Sequence, residues 1–317
     1  MVGKRRWGVV LLALLVTACG SGPPPAPAVA PVPAPLDLSG VVLLQRNPGH
    51  DDVVFADPAT GVVKTTLPLP GRDTSPTRFD GPAGKLDLVS PDGQYATLES
   101  GGGVDVFKLD RRGRRYERTG AVAGFRNPRF GPMGTKLYFD DGKAVYSTDY
   151  TRPGQITEEA GLVPPDDPLD PRVQAWWPDA QGTVLTWKDV RRAGGLAYLT
   201  DSSGAIGYAT YDDAGTRYYF VTALDAVTVL LYAVGGTDAH GVLARLKLDD
   251  GVPQVTKLVD RAEPRIGKAA AAPDRATVLY QTTQGEWFDS PTTPGAITRP
   301  ALKQLPAAGQ RQLVGWA

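Results

Sequence analysis

Six basic side chains recur along the chain in nearly one register, and they are the residues best placed to do chemistry together. Lys85, Arg126 and Arg172 stand six residues before the turn residues Pro91, Pro132 and Pro178, and Arg311 stands six before Ala317. Arg217 and Arg265 fall one and two residues further back, relative to Leu224 and Pro273. Cations repeated in one register would form a ring if the repeats closed around an axis. Two unit charges about 10 Å apart in water repel by roughly 0.4 kcal/mol, which a bound anion would turn into attraction. Arginine forks suit carboxylate, phosphate or an acidic peptide. These six residues are therefore the candidate anion-binding rim of a central channel.

Other chemistries find less support. No serine stands in a Gly-x-Ser-x-Gly context, and there is neither a His-Glu-x-x-His segment nor an EF-hand spacing. The two histidines, His50 in "NPGHDD" and His240 in "TDAHG", read as polar loop residues, and Asp-Asp-Gly at 140–142 and 249–251 as hairpin turns. The acidic pairs Glu158-Glu159 and Asp166-Asp167 carry nothing that would bring them together. The sequence assigns no catalytic residue, no metal ligand and no cofactor. Trp176, Trp177, Trp187, Tyr138, Tyr280 and Trp287 lie near the turns and read as packing between sheets, because large aromatic surfaces fill the gaps between twisted sheets.

The N-terminus reads "MVGKRRWGVVLLALLVTACGSG": a basic segment, an apolar run too short to span a bilayer comfortably, then small residues closing on Cys19. Val16-Thr17-Ala18-Cys19 resembles the lipobox of bacterial lipoproteins. That resemblance implies cleavage after residue 18 and a diacylglyceryl thioether on Cys19, with a multi-chain anchor holding the protein to the extracytoplasmic face of the cell membrane. Cys19 is the only cysteine, so its acylation leaves no thiol for disulfides or thiolate metal sites. Removing Lys4, Arg5 and Arg6 leaves 31 basic against 34 acidic side chains, a balance that argues against nucleic-acid binding. Residues 19–39 form a proline-rich stalk that favours extended polyproline II.

Residues 40–317 must then position the basic register. "SPDGQYATLES" at 90–100 recurs in weaker form as "FGPMGTKLYF" at 130–139, "WWPDAQGTVLTW" at 176–187, "TALDAVTVLLYAV" at 222–234 and "APDRATVLY" at 272–280. The corner residues Pro91, Pro132, Pro178, Leu224 and Pro273 are 41, 46, 46 and 49 apart, the spacing of a repeat architecture. Proline presets the first corner of a tight turn and aspartate and glycine suit the next positions, so each copy joins two antiparallel strands. In the copy at Val89 three strands follow, "YATLES", "VDVFKLD" and "RYERTGAV", the last two joined by "RRGRR", a solvated hairpin facing away from the rim.

These repeats resemble the SPDG-containing units of TolB-like and WD40-like β-propellers, and "VVFADPATGVVKTTLP" at 53–68 resembles a hairpin of YVTN-type propellers. The resemblance implies an all-β propeller with four strands per blade. The start of the domain offers three strands, and the final "RQLVGWA" supplies the fourth, so the C-terminus should complete the first blade. A domain of 278 residues divided by six gives about 46 per repeat, hence six blades. A two-sheet β-sandwich is the competing architecture. The expected role is a monomeric binding or scaffold module for an envelope protein, a wall component or an anionic ligand. A lactonase-like propeller hydrolase and a small-ligand sensor stay open, since propellers host all three.

Overall fold

The computed structural model describes residues 34–71, 87–162, 172–179, 181–189, 196–201, 204–210, 217–224, 228–235, 238–247, 254–260, 266–282, 284–295, 297–305 and 311–317. Leu36–Ala317 forms one compact unit. Its described strands pair into six antiparallel sheets. The first holds β1 (Val41–Arg46), β2 (Asp51–Ala56) and β3 (Val63–Leu69), and the second β4 (Tyr95–Ser100), β5 (Gly103–Asp110) and β6 (Arg115–Ala123). The third runs through β7 (Arg126–Phe130), β8 (Lys136–Asp140), β9 (Ala144–Asp149) and β10 (Thr157–Gly161). The fourth comprises β11 (Arg172–Pro178), β12 (Val184–Asp189), β13 (Leu196–Asp201) and β14 (Gly204–Thr210). The fifth comprises β15 (Arg217–Ala223), β16 (Thr228–Gly235), β17 (Asp238–Lys247) and β18 (Gln254–Asp260). The sixth holds β19 (Ile266–Ala271), β20 (Thr277–Thr282), β21 (Trp287–Pro291) and β22 (Arg299–Pro300), and β23 (Arg311–Trp316) returns to head the first sheet beside β1.

Each sheet packs on the next in chain order, and the sixth packs on the first. Val42, Phe55, Leu67, Leu98, Phe107 and Val314 share one core between the first and second sheets. Val104, Val106, Phe130 and Phe139 join the second to the third, and Tyr138, Val145, Trp176 and Val184 the third to the fourth. Strand β11 packs on β15 and β15 on β19, while Leu43, Val54, Leu279 and Leu313 close the sixth sheet onto the first. This circular order of sheets is a β-propeller and not a sandwich, whose two sheets would face each other. Trp176, Trp187, Tyr138 and Tyr280 are at most 1% exposed in these inter-sheet layers, as the aromatic reading expects.

The terminal strand closes the first sheet as the sequence implies: Val41 pairs with Trp316, Leu43 with Leu313 and Gln45 with Arg311, with a bulge between Val42 and Leu43. Gly40 and Ala317 exchange both backbone hydrogen bonds at 2.8 and 2.9 Å. The second sheet has three strands instead of the four expected of each repeat. Its innermost segment, Asp87–Ser90, reaches β4 only through an isolated bridge from Val89 to Ala96, because Asp87 adopts φ +60° and breaks the extended run. Leu36 and Leu38, read as the end of the stalk, pack against the core between the first two sheets.

The turns form for the reasons their residues suggest. Ser90 Oγ donates to Asp92 Oδ1 at 2.6 Å and accepts from the Tyr95 amide at 2.9 Å. Gly93 takes φ +68°, and its carbonyl accepts from the buried Tyr116 hydroxyl at 2.8 Å. Asp179 receives the amides of Gln181 and Thr183 at 2.9 and 2.8 Å, and Asp274 that of Ala276 at 2.9 Å. Each is an aspartate ordering its own turn.

Candidate functional site

Arg126, Arg172, Arg217 and Arg311 are the first residues of β7, β11, β15 and β23. Each of these strands lies at one edge of its sheet. Lys85 and Arg265 lie outside the described residues, as do the side chains of Arg172 and Arg217. The two rim side chains that are described are both anchored. Arg126 Nε donates to Asp140 Oδ1 at 3.2 Å and its Nη2 to the Asp141 carbonyl at 3.2 Å, with 39% of the side chain exposed. Arg311 Nε donates to Gln45 Oε1 at 2.9 Å, and burial draws its pKa below the ordinary arginine value.

Asp140 corrects the expectation that Asp-Asp-Gly at 140–142 is only a turn. Asp141 does make the turn, accepting the amides of Lys143 and Ala144. Asp140 ends β8 directly opposite Arg126, is wholly buried, and accepts from Arg126, from Asn127 Nδ2 at 2.7 Å and from Trp176 Nε1 at 2.8 Å. The last bond crosses from the third sheet to the fourth. Asp189 stands opposite Arg172 across the ladder, the same acid-facing-base arrangement read at the backbone. The rim is thus partly compensated by acids that no spacing of basic residues could reveal.

His50 lies in the β1–β2 hairpin, 45% exposed, with Nε2 3.5 Å from Asp52 Oδ1, while Asn47 Nδ2 donates to Asp52 Oδ2 at 2.7 Å. His240 is not in a loop but within β17. Glu158 and Glu159 do not converge into an acid pair: Glu159 accepts from Lys136 Nζ at 2.7 Å and Ser147 Oγ at 2.5 Å. Residues 166–167 and 249–251 lie outside the described set. Among the described residues, no group of three or more His, Cys, Asp or Glu side chains is arranged to hold a metal ion.

A second charged cluster, which the sequence did not signal, sits where the innermost strands meet. The Asp87 amide donates to the Val314 carbonyl of β23 at 2.7 Å, and its carbonyl accepts from the Phe130 amide of β7 at 2.8 Å. One residue thereby stitches three sheets together at the axis. Its carboxylate is about half exposed; burial raises its pKa, against the opposing charges of Arg129 and Arg275. Arg129 Nη1 lies 3.7 Å from Asp87 Oδ2, and its guanidinium sits 5.7 Å from the ring centroid of Trp176. Burial lowers the pKa of Arg129, and Asp87 and Asp140 counteract it.

Comparison with protein-family models finds no match, and comparison with curated proteins finds none either. Among solved structures the chain is similar to the β-propeller domain of Cps50 (Swd1) from Myceliophthora thermophila, at 13% identity and TM-score 0.47, over 88% of this chain and 90% of that one. It is also similar to a protein described as TolB from Agrobacterium tumefaciens, at 15% identity and TM-score 0.47, over 83% and 88% of the two chains. An oligogalacturonate lyase in complex with manganese aligns at 14% identity and TM-score 0.46, over 75% and 69%. The β-propeller fold rests on the strand pairing itself.

Proposed function

We propose that the chain is a lipid-anchored, extracytoplasmic, six-bladed β-propeller that serves as a binding or scaffold module for a cell-envelope partner carrying anionic groups. The observation that carries this reading is the shared register of Arg126, Arg172, Arg217 and Arg311 at the head of four inner strands. Sheets that pack in a circle give such residues fixed positions, so a ligand meets a preorganised surface. Asp140 and the Asp141 carbonyl hold Arg126 through Nε and Nη2, and the 39% of the side chain that stays exposed can meet a carboxylate or phosphate. Cys19, through its acyl chains, keeps the module at the membrane, and residues 20–39 carry it clear of the surface.

The test is binding of a poly-glutamate peptide at low and high salt, compared with the triple variant Arg126→Gln, Arg172→Gln, Arg311→Gln. Salt-sensitive binding that falls at least tenfold in the triple variant is expected; equal binding by both proteins overturns the rim. Cys19→Ala should move the protein from the membrane to the soluble fraction and abolish palmitate labelling, and continued membrane association after carbonate washing would refute the anchor.

A further inference from the structure

We infer that Arg129 and Asp87, with the buried Trp176 beside the guanidinium, form a small-ligand site where the innermost segments meet, distinct from the rim arginines, that takes a carboxylate bearing a hydrogen-bond donor on the adjacent carbon. Arg129 is an expensive residue to place where it stands. Its side chain is only 11% exposed, yet its guanidinium donates no hydrogen bond among the described residues; it approaches Asp87 at 3.7 Å and lies 5.7 Å from the centroid of the Trp176 ring. A largely buried arginine normally fills its five donors; no Arg129 nitrogen is a fully buried atom lacking a partner, so its unfilled donors reach solvent. The guanidinium lies by the indole ring, and its Nη1 approaches the Asp87 carboxylate.

Asp87 supplies the second observation. It is a non-glycine residue held at φ +60°, a conformation that persists only where the surroundings enforce it, and its bonds to Val314 and Phe130 do so. The strain presents a half-exposed carboxylate beside the unfilled guanidinium. A cation and an anion side by side match a ligand with the opposite pair: a carboxylate on the Arg129 fork and an ammonium or hydroxyl donating to Asp87. A bare carboxylate would leave Asp87 opposing it. Arg275, from the turn after β19 and also at positive φ, adds positive charge toward Asp87 and biases the site to anions overall.

The experiment is titration of the intact folded domain with acetate, lactate and alanine, read by the fluorescence of the tryptophans and by calorimetry. Lactate or alanine should bind at least tenfold more tightly than acetate. Arg129→Lys, which keeps the charge but loses the fork, should weaken them tenfold or more. Asp87→Asn should bring lactate or alanine and acetate to within threefold of each other while leaving the fold intact by thermal melting. Poly-glutamate binding at the rim should survive Arg129→Lys, which keeps the charge, so failure here and failure of the rim are separable. No saturable binding by any of the three below 50 mM, or equal binding by wild type and Arg129→Lys, would overturn the site.

Discussion

Replacing Asp140 with alanine tests whether the third and fourth sheets are joined by a polar hub or merely abut. Among the described residues three donors lose their acceptor. Trp176 Nε1 belongs to an indole that is 0% exposed and has no water to turn to, a loss of about 2 kcal/mol. The Asn127 amide is part-buried and adds about 1 kcal/mol. Arg126 is 39% exposed and re-solvates, so its share is well under 1 kcal/mol. The expected destabilisation is about 3–4 kcal/mol, which for a domain of this size lowers the melting temperature by roughly 10 °C. Urea and thermal denaturation followed by tryptophan fluorescence supply the measurement. The decisive arm is the cycle with Trp176→Phe, which removes the indole donor and nothing else polar. The double variant should cost less than the two singles together by at least about 1 kcal/mol, since the second change removes a donor already orphaned. Additive costs, or an Asp140→Ala variant within about 1 kcal/mol of wild type, would show that Asp140 does not join the sheets.

Removing residues 311–317 strips Leu313 and Val314 from two inter-sheet cores and leaves β1 as an open edge, so cooperative melting should be lost and dye binding to exposed apolar surface should rise; a truncated protein that still melts sharply near the wild-type temperature would contradict the closure. On the acid side, hydrogen bonds from the Thr60 amide and hydroxyl hold the Asp57 carboxyl below its ordinary 3.8, and Thr151 does the same for Asp149. A depressed folded-state pKa contributes stability above 3.8 that is lost as pH falls through the folded value. The Asp57→Asn, Asp149→Asn variant should therefore melt below wild type at neutral pH and converge with it as pH falls below about 3.8. A gap that stays constant from pH 6 to about 2.5 would refute this.

The fold was legible because its signals are local and repeated. A Ser-Pro-Asp-Gly turn needs only nearby residues to order itself, as Ser90, Asp92 and Gly93 do with Tyr95. The pairing of β23 with β1 is the most distant contact in the sequence, yet it was readable because one sheet lacked a strand at the start and the chain ended on a strand without a sheet. The second sheet departs from the pattern at Asp87, where the conformation is set by backbone bonds to two other sheets. No local propensity of aspartate encodes those bonds.

The charged residues divide along the same line. The basic register was visible because repetition places equivalent residues at equivalent points, and Arg126, Arg172, Arg217 and Arg311 accordingly open their strands. The partners that determine what those charges can do were hidden, since Asp140 meets Trp176 36 residues away and Asp87 meets Arg129 across a sheet boundary. A repeat predicts its own copies and is silent about what one copy presents to the next. In a β-propeller the sites lie where copies meet, so the departures from the repeat carry more functional information than the repeat does. Asp87 is such a departure, since its positive φ breaks the inner strand of the second sheet, whereas Asp140 repeats as Asp189, which ends β12 opposite Arg172.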